Sequence, residues 1–112
     1  MTDLTITTST TARAHIITIS GALDMTTAPK LRQACEALPR GAARELVLDL
    51  AGLDFCDSSG ISTFITAHHH ATALGATFAL TAVPPHITRM LAITGLADYF
   101  TLHDTAGQAD RP

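Results

Sequence analysis

Two serines stand where a predicted strand gives way to a predicted helix, and hydroxyl groups at such a place have a definite chemistry. Upstream, residues Glu45–Leu50 form an apolar run with the length of a buried strand. Downstream, side chains recur at the spacing of one helix face, at Ile61, Phe64, Ile65 and His68. The segment Asp57-Ser58-Ser59-Gly60 is therefore predicted to be the strand-to-helix turn between them.

The start of a helix favours negative charge. Its first backbone N–H groups lack internal partners and carry the positive end of the helix dipole. A serine or aspartate at this point is most often an N-cap, whose side-chain oxygen accepts hydrogen bonds from those groups. The same groups bind phosphate, so a phosphorylated serine is expected to be tolerated there. The sequence leaves open whether Ser58 or Asp57 is the formal cap.

The length and composition indicate one domain of ordinary size, which we assign to residues 1–112. Of the 112 residues, 46% are hydrophobic, which suffices for a core. A net charge of -3 argues against nucleic acid as a partner, because phosphate backbones are bound by clustered Lys and Arg. No apolar run approaches the ~20 residues that cross a membrane, and Met1–Leu4 does not resemble a signal peptide. Cys35 and Cys56 are expected to be buried thiols in a reducing cytoplasm.

The hydrophobic pattern predicts the element order ββαβαβαβ. The predicted strands are Leu4–Ser9, Ala14–Ser20, Leu46–Leu50, Thr77–Ala82 and Tyr99–Leu102. The first helix is capped by Thr26 or Thr27 and ends at Pro39–Gly41, the second ends at Gly75, and the third runs from Pro84-Pro85 to Gly95. The predicted inner faces are Ala28, Leu31, Cys35 and Leu38 in the first helix, and Ile87, Met90, Leu91 and Thr94 in the third.

Strands that alternate with helices imply parallel pairing through right-handed crossovers. The predicted fold class is thus α/β: a small, mainly parallel mixed sheet that begins with an antiparallel hairpin and has helices packed against it. The ordered core is expected over about residues 4–103, with a flexible tail over 105–112.

In such a sheet the turns that leave the parallel strands meet at one edge, where open α/β proteins place their sites. The turns in question are Leu23–Thr26, Asp57–Gly60 and Val83–His86. Asp24 and Ser59 should therefore be near neighbours in space. None of these turns carries a GxGxxG or GxxxxGK[ST] phosphate-binding loop.

The residues of this edge resemble a known family. Leu48-Asp49-Leu50, followed by Phe55-Cys56-Asp57-Ser58-Ser59-Gly60-Ile61, looks like the signature of the STAS domain, which sulfate transporters share with anti-sigma factor antagonists. Gly21-Ala22-Leu23-Asp24 with Thr27–Leu31 resembles the family's second-strand exit and first helix, and Leu91–Leu96 resembles its last helix end. The similarity extends from Leu4 to about Leu102.

The resemblance implies a partner-switching protein rather than an enzyme. Free-standing members bind an anti-sigma factor that is also a serine kinase, and so release the sigma factor. The kinase phosphorylates the second serine of the motif, here Ser59, and binding is lost until a serine phosphatase removes the phosphate. By the same matching, Asp24, Asp57, Ser58 and Gly60 belong to the docking surface with Ser59. No cofactor, metal or membrane insertion is implied for this branch.

The chain departs from the family pattern at three places. Met25 lies at a variable position, and Cys56 replaces a bulkier apolar residue and is expected only to pack. The second helix carries His68-His69-His70 where the family usually has mixed Lys, Arg and Gln. If this end of the helix contacts the partner, the partner differs from those of typical members.

The sequence disfavours several other functions. A zinc site at the histidines is disfavoured because consecutive helix residues diverge and no His, Asp or Glu lies three or four residues from them. A solvated, partly surface-facing cluster of histidines is expected instead. A hydrolase is disfavoured because there is no G-x-S-x-G elbow, and redox chemistry because there is no C-x-x-C motif. The main rival is a STAS scaffold or accessory subunit, without a phosphate switch, in a stress-signalling or lipid-transport complex.

Overall fold

The elements of the chain follow one another in the predicted order. The computed structural model describes residues 3–38, 44–96 and 99–103. Within these ranges the elements are β1 (Leu4–Thr10), β2 (Ala14–Leu23), α1 (Ala28–Glu36), β3 (Glu45–Cys56), α2 (Ser58–Ala73), β4 (Thr77–Thr81), α3 (Pro85–Ile93) and β5 (Thr101–His103). α1 ends at Glu36, with Ala37 as its C-cap, and therefore stops before the predicted end at Pro39–Gly41. The segment Pro39–Gly41 itself and the expected tail at 105–112 lie outside the described residues.

The strands lie side by side in chain order, from β1 to β5, in a single sheet of five strands over the described residues. β1 pairs antiparallel with β2, and every later pair is parallel. Right-handed crossovers along this order place α1, α2 and α3 on the same face of the sheet. The buried residues of all three helices indeed belong to one core cluster. The predicted fold class is confirmed.

The core forms where alternate strand residues meet the helices. Ile17, Leu48 and Leu80 are lateral partners in the sheet and are fully buried in this cluster. Phe64 of α2 is also fully buried, and its ring meets Phe100 edge to face at 6.4 Å. The strand residues in between point to the opposite face, where Ile16, Val47 and Ala79 contribute to a smaller cluster. At the described positions no helix is long and apolar enough to span a bilayer.

Two strands are longer than the sequence predicts. β2 ends at Leu23 rather than Ser20, and β3 ends at Cys56 rather than Leu50. The extra residues have weak strand preferences, since they include glycines and Asp54, but each strand satisfies the other's backbone groups. The register shifts twice, between Thr18 and Ser20 and between Gly21 and Ala22, and the pairing ends with Leu23 opposite Cys56.

Gly21 lies in β2 where the register with β3 shifts. Its φ of +104° lies in the region that side chains avoid, and the Ala22 N–H donates across to the Asp3 carbonyl at 3.1 Å. A methyl group at this glycine would collide with the same carbonyl. Gly21 thus lets the outer strand and the extended end of β2 pack closely.

The last two strands also differ from their predicted ranges. β4 stops at Thr81, because Ala82 has a positive φ of 53° and leaves the sheet. β5 begins at Thr101 rather than Tyr99. Phe100 precedes this strand and is buried with Phe64 and Phe78, so its apolar character reflects core packing.

The helix faces are largely as predicted. Ala28, Leu31 and Cys35 of α1 and Ile87 and Leu91 of α3 are buried, and Met90 is half-buried. Leu38 lies beyond the end of α1 and packs against the core. Thr94 was wrongly assigned to the inner face: it is exposed, and its hydroxyl donates to the Met90 and Leu91 carbonyls.

Glycines end α2 and α3 as predicted. Gly75 and Gly95 both have φ of 78°, and the following N–H groups of Ala76 and Leu96 each donate back five residues at 2.8 Å. This is the Schellman arrangement, in which a left-handed glycine closes the last helical turn.

Gly21→Ala is expected to reduce the free energy of unfolding by more than ~2 kcal/mol, because the methyl group adds a collision to the cost of a positive φ. Gly75→Ala is the matched control: its φ is also positive, yet a methyl group there meets no atom within 4 Å. Its cost should stay near ~1 kcal/mol. Urea unfolding of both variants measures the difference, and equal losses would contradict a role for close packing at Gly21.

Candidate functional site

The ends of β2 and β3 bring two of the predicted turns together. Leu23 and Cys56 are register partners, and the Asp57 N–H donates to the Leu23 carbonyl at 3.2 Å. Asp24 and Asp57 therefore follow neighbouring strand ends. The third predicted turn does not reach this edge. β4 ends opposite Asp49, whereas β3 continues beyond Asp49 to Cys56. The expected edge is formed by the first two turns.

Asp57 is the N-cap of α2. Its carboxylate Oδ1 accepts hydrogen bonds from the backbone N–H groups of Ser59 at 2.9 Å and Gly60 at 3.2 Å. Its backbone is extended, with φ of -107° and ψ of -168°, as N-caps usually are. This settles the choice between Ser58 and Asp57. It also corrects the predicted turn, because Ser58, Ser59 and Gly60 form the first turn of the helix itself.

The hydroxyl groups of Ser58 and Ser59 form no hydrogen bonds that stabilise the described part of the fold. Ser58 is exposed and Ser59 is half-buried. Among the described residues, neither hydroxyl makes a hydrogen bond, whereas the backbone of Ser59 is held at both ends. Its N–H donates to Asp57, and its carbonyl accepts from the Thr63 hydroxyl at 2.9 Å. Ser59 thus presents a free hydroxyl on a fixed backbone.

Close packing explains why the fourth motif residue is glycine. A methyl group on Gly60 would lie 2.5 Å from Cys56 Sγ and 3.0 Å from Leu23 Cδ2. The first turn of α2 therefore rests directly on the two strand ends. Cys56 is small enough to fit beneath it, as the sequence led us to expect.

Burial also decides the chemistry of the thiols. Loss of solvation raises the pKa of Cys56 to about 12, and the Asp57 carboxylate adds to this effect. Loss of solvation likewise raises the pKa of Cys35 to about 12. Both thiols are therefore protonated at neutral pH, so neither offers the thiolate that nucleophilic or redox chemistry requires.

Asp24 organises the neighbouring turn. Its Oδ1 accepts hydrogen bonds from the Thr26 hydroxyl at 2.7 Å and from the N–H groups of Thr26 at 2.9 Å and Thr27 at 3.1 Å. The Thr26 hydroxyl is the main cause of the lowered pKa of Asp24, and the two backbone groups add to it. Sequence reasoning missed this structural role.

Neither threonine caps α1 through its side chain, contrary to the prediction. Thr27 occupies the N-cap position but makes no side-chain cap hydrogen bond. Its buried hydroxyl instead donates to the Ala22 carbonyl at 2.8 Å and accepts from the Asp24 N–H at 2.9 Å. Thr27 therefore ties the start of α1 to the end of β2.

A depression between α1 and α2 extends from this edge. One wall comes from Met25 and α1 and the other from α2, and the volume is about 280 Å³. The lining residues are Met25, Ala28, Pro29, Arg32, Ser59, Ser62, Thr63 and Thr66. Met25 is 75% exposed, and Phe55, near the end of β3, is 50% exposed. We name Asp24, Met25, Phe55, Asp57, Ser58 and Ser59 the docking edge.

Comparison with known proteins identifies the family. The family model described as "Mlab, STAS domain" matches residues 6–103. The chain belongs to the STAS domain family. It is 32% identical to the anti-sigma F factor antagonist of Paenibacillus polymyxa over 90 residues, which are 80% of this chain and 77% of that protein.

Solved structures agree with this assignment. An anti-sigma factor antagonist from Mycobacterium paratuberculosis superposes with a TM-score of 0.83 at 28% identity, covering 96% of this chain and 91% of that one. The Bacillus cell fate determinant SpoIIAA in its phosphorylated form has the same fold, with a TM-score of 0.72 at 20% identity and coverage of 94% and 96%. This STAS domain therefore groups with the anti-sigma factor antagonists.

The three consecutive histidines of this STAS domain point into different surroundings. His68 lies against the rings of Phe78, Tyr99 and Phe100 at 5.4, 5.0 and 6.2 Å. Its buried Nδ1 has no hydrogen-bond partner among the described residues. His68 is half-buried and packs against these rings, so it is less solvated than the expected cluster. His69 Nε2 lies 3.1 Å from the Tyr99 hydroxyl, and His70 lines a second depression with Arg32 and Glu36. Within the described ranges no group of three or more His, Cys, Asp or Glu could hold a metal ion.

Sequence reasoning missed Met25 and Arg32 as parts of the site. Met25 lies at a variable position of the family, so its side chain received no role. A large apolar residue within a polar turn nevertheless indicates an exposed contact residue. Arg32 enters the site only because α1 packs against α2, which no local pattern indicates. Asp49 of the family signature has a local role: its Oδ1 accepts a hydrogen bond from the Ala51 N–H at 3.1 Å.

Asp57→Ala should reduce the free energy of unfolding by ~1 kcal/mol, because the Ser59 and Gly60 N–H groups lose their acceptor. Asp57→Asn is the matched variant: asparagine caps helices about as well, so most of the stability should remain although the charge is gone. Chemical denaturation compares the two. If the asparagine variant lost as much stability as the alanine variant, the carboxylate would act through its charge and not as a cap.

Proposed function

We propose that this STAS protein is an anti-sigma factor antagonist switched by phosphorylation of Ser59. Its unmodified form binds a cytoplasmic anti-sigma factor that has serine kinase activity, and so frees the sigma factor. The kinase transfers the γ-phosphoryl group of ATP to Ser59 Oγ, which loses its proton, and ADP leaves. A serine phosphatase hydrolyses the phosphate ester and restores binding. The protein is then a substrate and a binding partner, and not itself an enzyme.

The observation that carries the proposal is the state of Ser59. Its hydroxyl makes no hydrogen bond within the described residues, while its backbone is fixed by Asp57 and Thr63. A kinase can therefore modify the hydroxyl without disturbing the helix. The names of the Paenibacillus and Mycobacterium relatives support an anti-sigma factor as the partner.

The docking edge suggests what the partner surface must contain. Asp24 and Asp57 supply carboxylates on neighbouring turns, and Met25 and Phe55 expose apolar side chains beside them. A complementary surface offers an apolar pocket for Met25 and basic or N–H groups for the carboxylates. The carboxylates already accept backbone hydrogen bonds, so they are held in place before the partner arrives.

Charge explains how the phosphate ends binding. It adds about -1.5 to -2 charges at neutral pH. In an interface matched to a neutral hydroxyl, that charge must be desolvated without a planned partner. A cost above ~2 kcal/mol weakens affinity more than tenfold. The fold is less affected, since an exposed charge at a helix N-terminus is stabilised by only ~0.3–1 kcal/mol.

A second candidate is a non-switching scaffold or accessory subunit, in a stress-signalling or lipid-transport complex. One observation favours it: the matching family model is described as "Mlab, STAS domain" and not as an antagonist. In that case the docking edge binds a permanent partner and Ser59 is never modified. No observation on the described residues favours a metal-binding or hydrolytic function.

Phosphosite mapping of the protein isolated from its own cells, together with its bound partners, separates the two candidates. A phosphate on Ser59 and a kinase-type anti-sigma factor among the partners support the switch. A protein that stays unmodified under all growth conditions and purifies with a transporter or signalling scaffold would support the accessory subunit.

Ser59→Asp should weaken binding to the cognate anti-sigma factor at least tenfold and leave the melting temperature nearly unchanged, because it places a charge in the interface and not in the core. Ser59→Ala should bind normally and resist inactivation by ATP. Gln33→Glu, an exposed site on α1, is the control for added charge. Calorimetric titration measures all three variants, and unchanged affinity for Ser59→Asp would refute the switch.

Asp24→Asn should also weaken binding several-fold while the turn stays intact, because an asparagine oxygen can still accept from the Thr26 and Thr27 N–H groups. Asp49→Asn is matched to it, since Asp49 makes the same kind of local hydrogen bond away from the docking edge. The same titration compares them. Equal affinities for both variants would remove Asp24 from the binding surface.

A further inference from the structure

A phosphate on Ser59 would find the helix N-terminus already occupied. The N–H groups of Ser59 and Gly60 donate to the Asp57 carboxylate, and the Ile61 N–H donates to the Asp57 carbonyl at 3.1 Å. Within the described part of the chain, the Ser58 N–H is the only N–H group of the first turn without an acceptor. The Asp57 carboxylate itself repels a second anion. A phosphate on Ser59 therefore cannot be bound by the first N–H groups of α2, as phosphates at helix N-termini usually are.

One positively charged side chain, that of Arg32, lines the same depression as Ser59. Of the side chains around it, only that of Arg32 is charged. Arg32 is exposed and forms no ion pair within the described residues. It also lines the second depression, with Glu36 and His70, so it lies where the two depressions between α1 and α2 meet.

The other cation of α1 is committed elsewhere. Lys30 Nζ lies 2.8 Å from Asp3 Oδ1, on the side of α1 that faces β1. Residues two apart on a helix point in nearly opposite directions, so Lys30 and Arg32 cannot exchange roles. Arg32 is also the better group for a phosphate, because its planar guanidinium donates two parallel hydrogen bonds to the oxygens.

We propose that Arg32 is the counter-ion of phosphorylated Ser59, binding the phosphate across the depression between α1 and α2. This inference rests on the proposed phosphorylation of Ser59. The bound phosphate covers the depression beside Met25, so that modification alters the shape of the docking edge as well as its charge. The same contact holds the phosphate away from solvent and slows its removal by a phosphatase.

The test uses the full chain with phosphoserine placed at position 59 by genetic-code expansion, so no kinase has to be known. A ³¹P NMR titration measures the second ionisation of the phosphate, whose ordinary pKa is ~6. A nearby guanidinium favours the dianion and lowers this value. In Arg32→Gln the phosphate should titrate at least ~0.5 unit higher than in the otherwise unchanged phosphoprotein. Arg32→Lys should fall between them, since it keeps the charge but not the fork.

Arg13→Gln is the control, because it removes an equal charge from an exposed position in the turn between β1 and β2. It should leave the phosphate titration unchanged. Identical titration curves for Arg32→Gln and the unchanged phosphoprotein would overturn the inference, and so would an equal shift in Arg13→Gln. A failure to find phosphate on Ser59 in cells would instead refute the proposed function, which this titration does not address.

Discussion

The parallel pairing that continues to the ends of β2 and β3 is the constraint on which the candidate site depends. It makes Leu23 and Cys56 lateral neighbours, and the Asp57 N–H extends the ladder by one more hydrogen bond to the Leu23 carbonyl. The helix begins at the very next residue, so there is no slack between strand and helix. Asp57 therefore belongs to two elements. Its backbone N–H makes the last hydrogen bond between the two strand ends, and its side chain caps the N-terminus of α2. Gly60 follows from the same geometry, because the first helical turn is pressed against both strand ends.

Local patterns were sufficient for the order and type of the elements. The helix spacing and the glycines at 75 and 95 depend on neighbours within a few residues, so the sequence displays them directly. The ends of β2 and β3 could not be predicted in this way. Gly21 and Gly52 disfavour strands on their own, and they adopt strand conformation because a distant segment pairs with them. The same holds for β5, where Tyr99 and Phe100 have strand-like composition but serve the core and the surface of α2.

The site was predictable as a set of residues and less so as an arrangement. Spacing and resemblance pointed to Ser59 and its neighbours, but the choice of Asp57 as cap depends on backbone angles that no pattern reveals. The structural role of Asp24 and the position of Arg32 arise from contacts between residues far apart in the chain or around a turn. His68 shows the limit most clearly. The helix spacing placed His68 on one face with Ile61 and Phe64, whereas the run of three histidines suggested a solvated cluster. In the structure its ring packs against aromatic residues from β4 and from the turn before β5.

In the proposed switch, a phosphate on Ser59 has little effect on folding and a large effect on binding, because the effective dielectric constant differs between the free protein and the complex. Two unit charges 4 Å apart interact by about 1 kcal/mol in water and about 4 kcal/mol at the effective dielectric of a protein surface region. In the free protein, Ser59 is half-buried and open to solvent through the depression. Repulsion from Asp57 is then comparable to the ~0.3–1 kcal/mol that a helix N-terminus contributes, and the two offset each other. When a partner excludes water, the repulsion grows while the dipole contribution is already committed to the Asp57 cap. In the proposed switch, a rigid edge with its amides occupied would therefore convert one added charge into a loss of affinity without any change of fold.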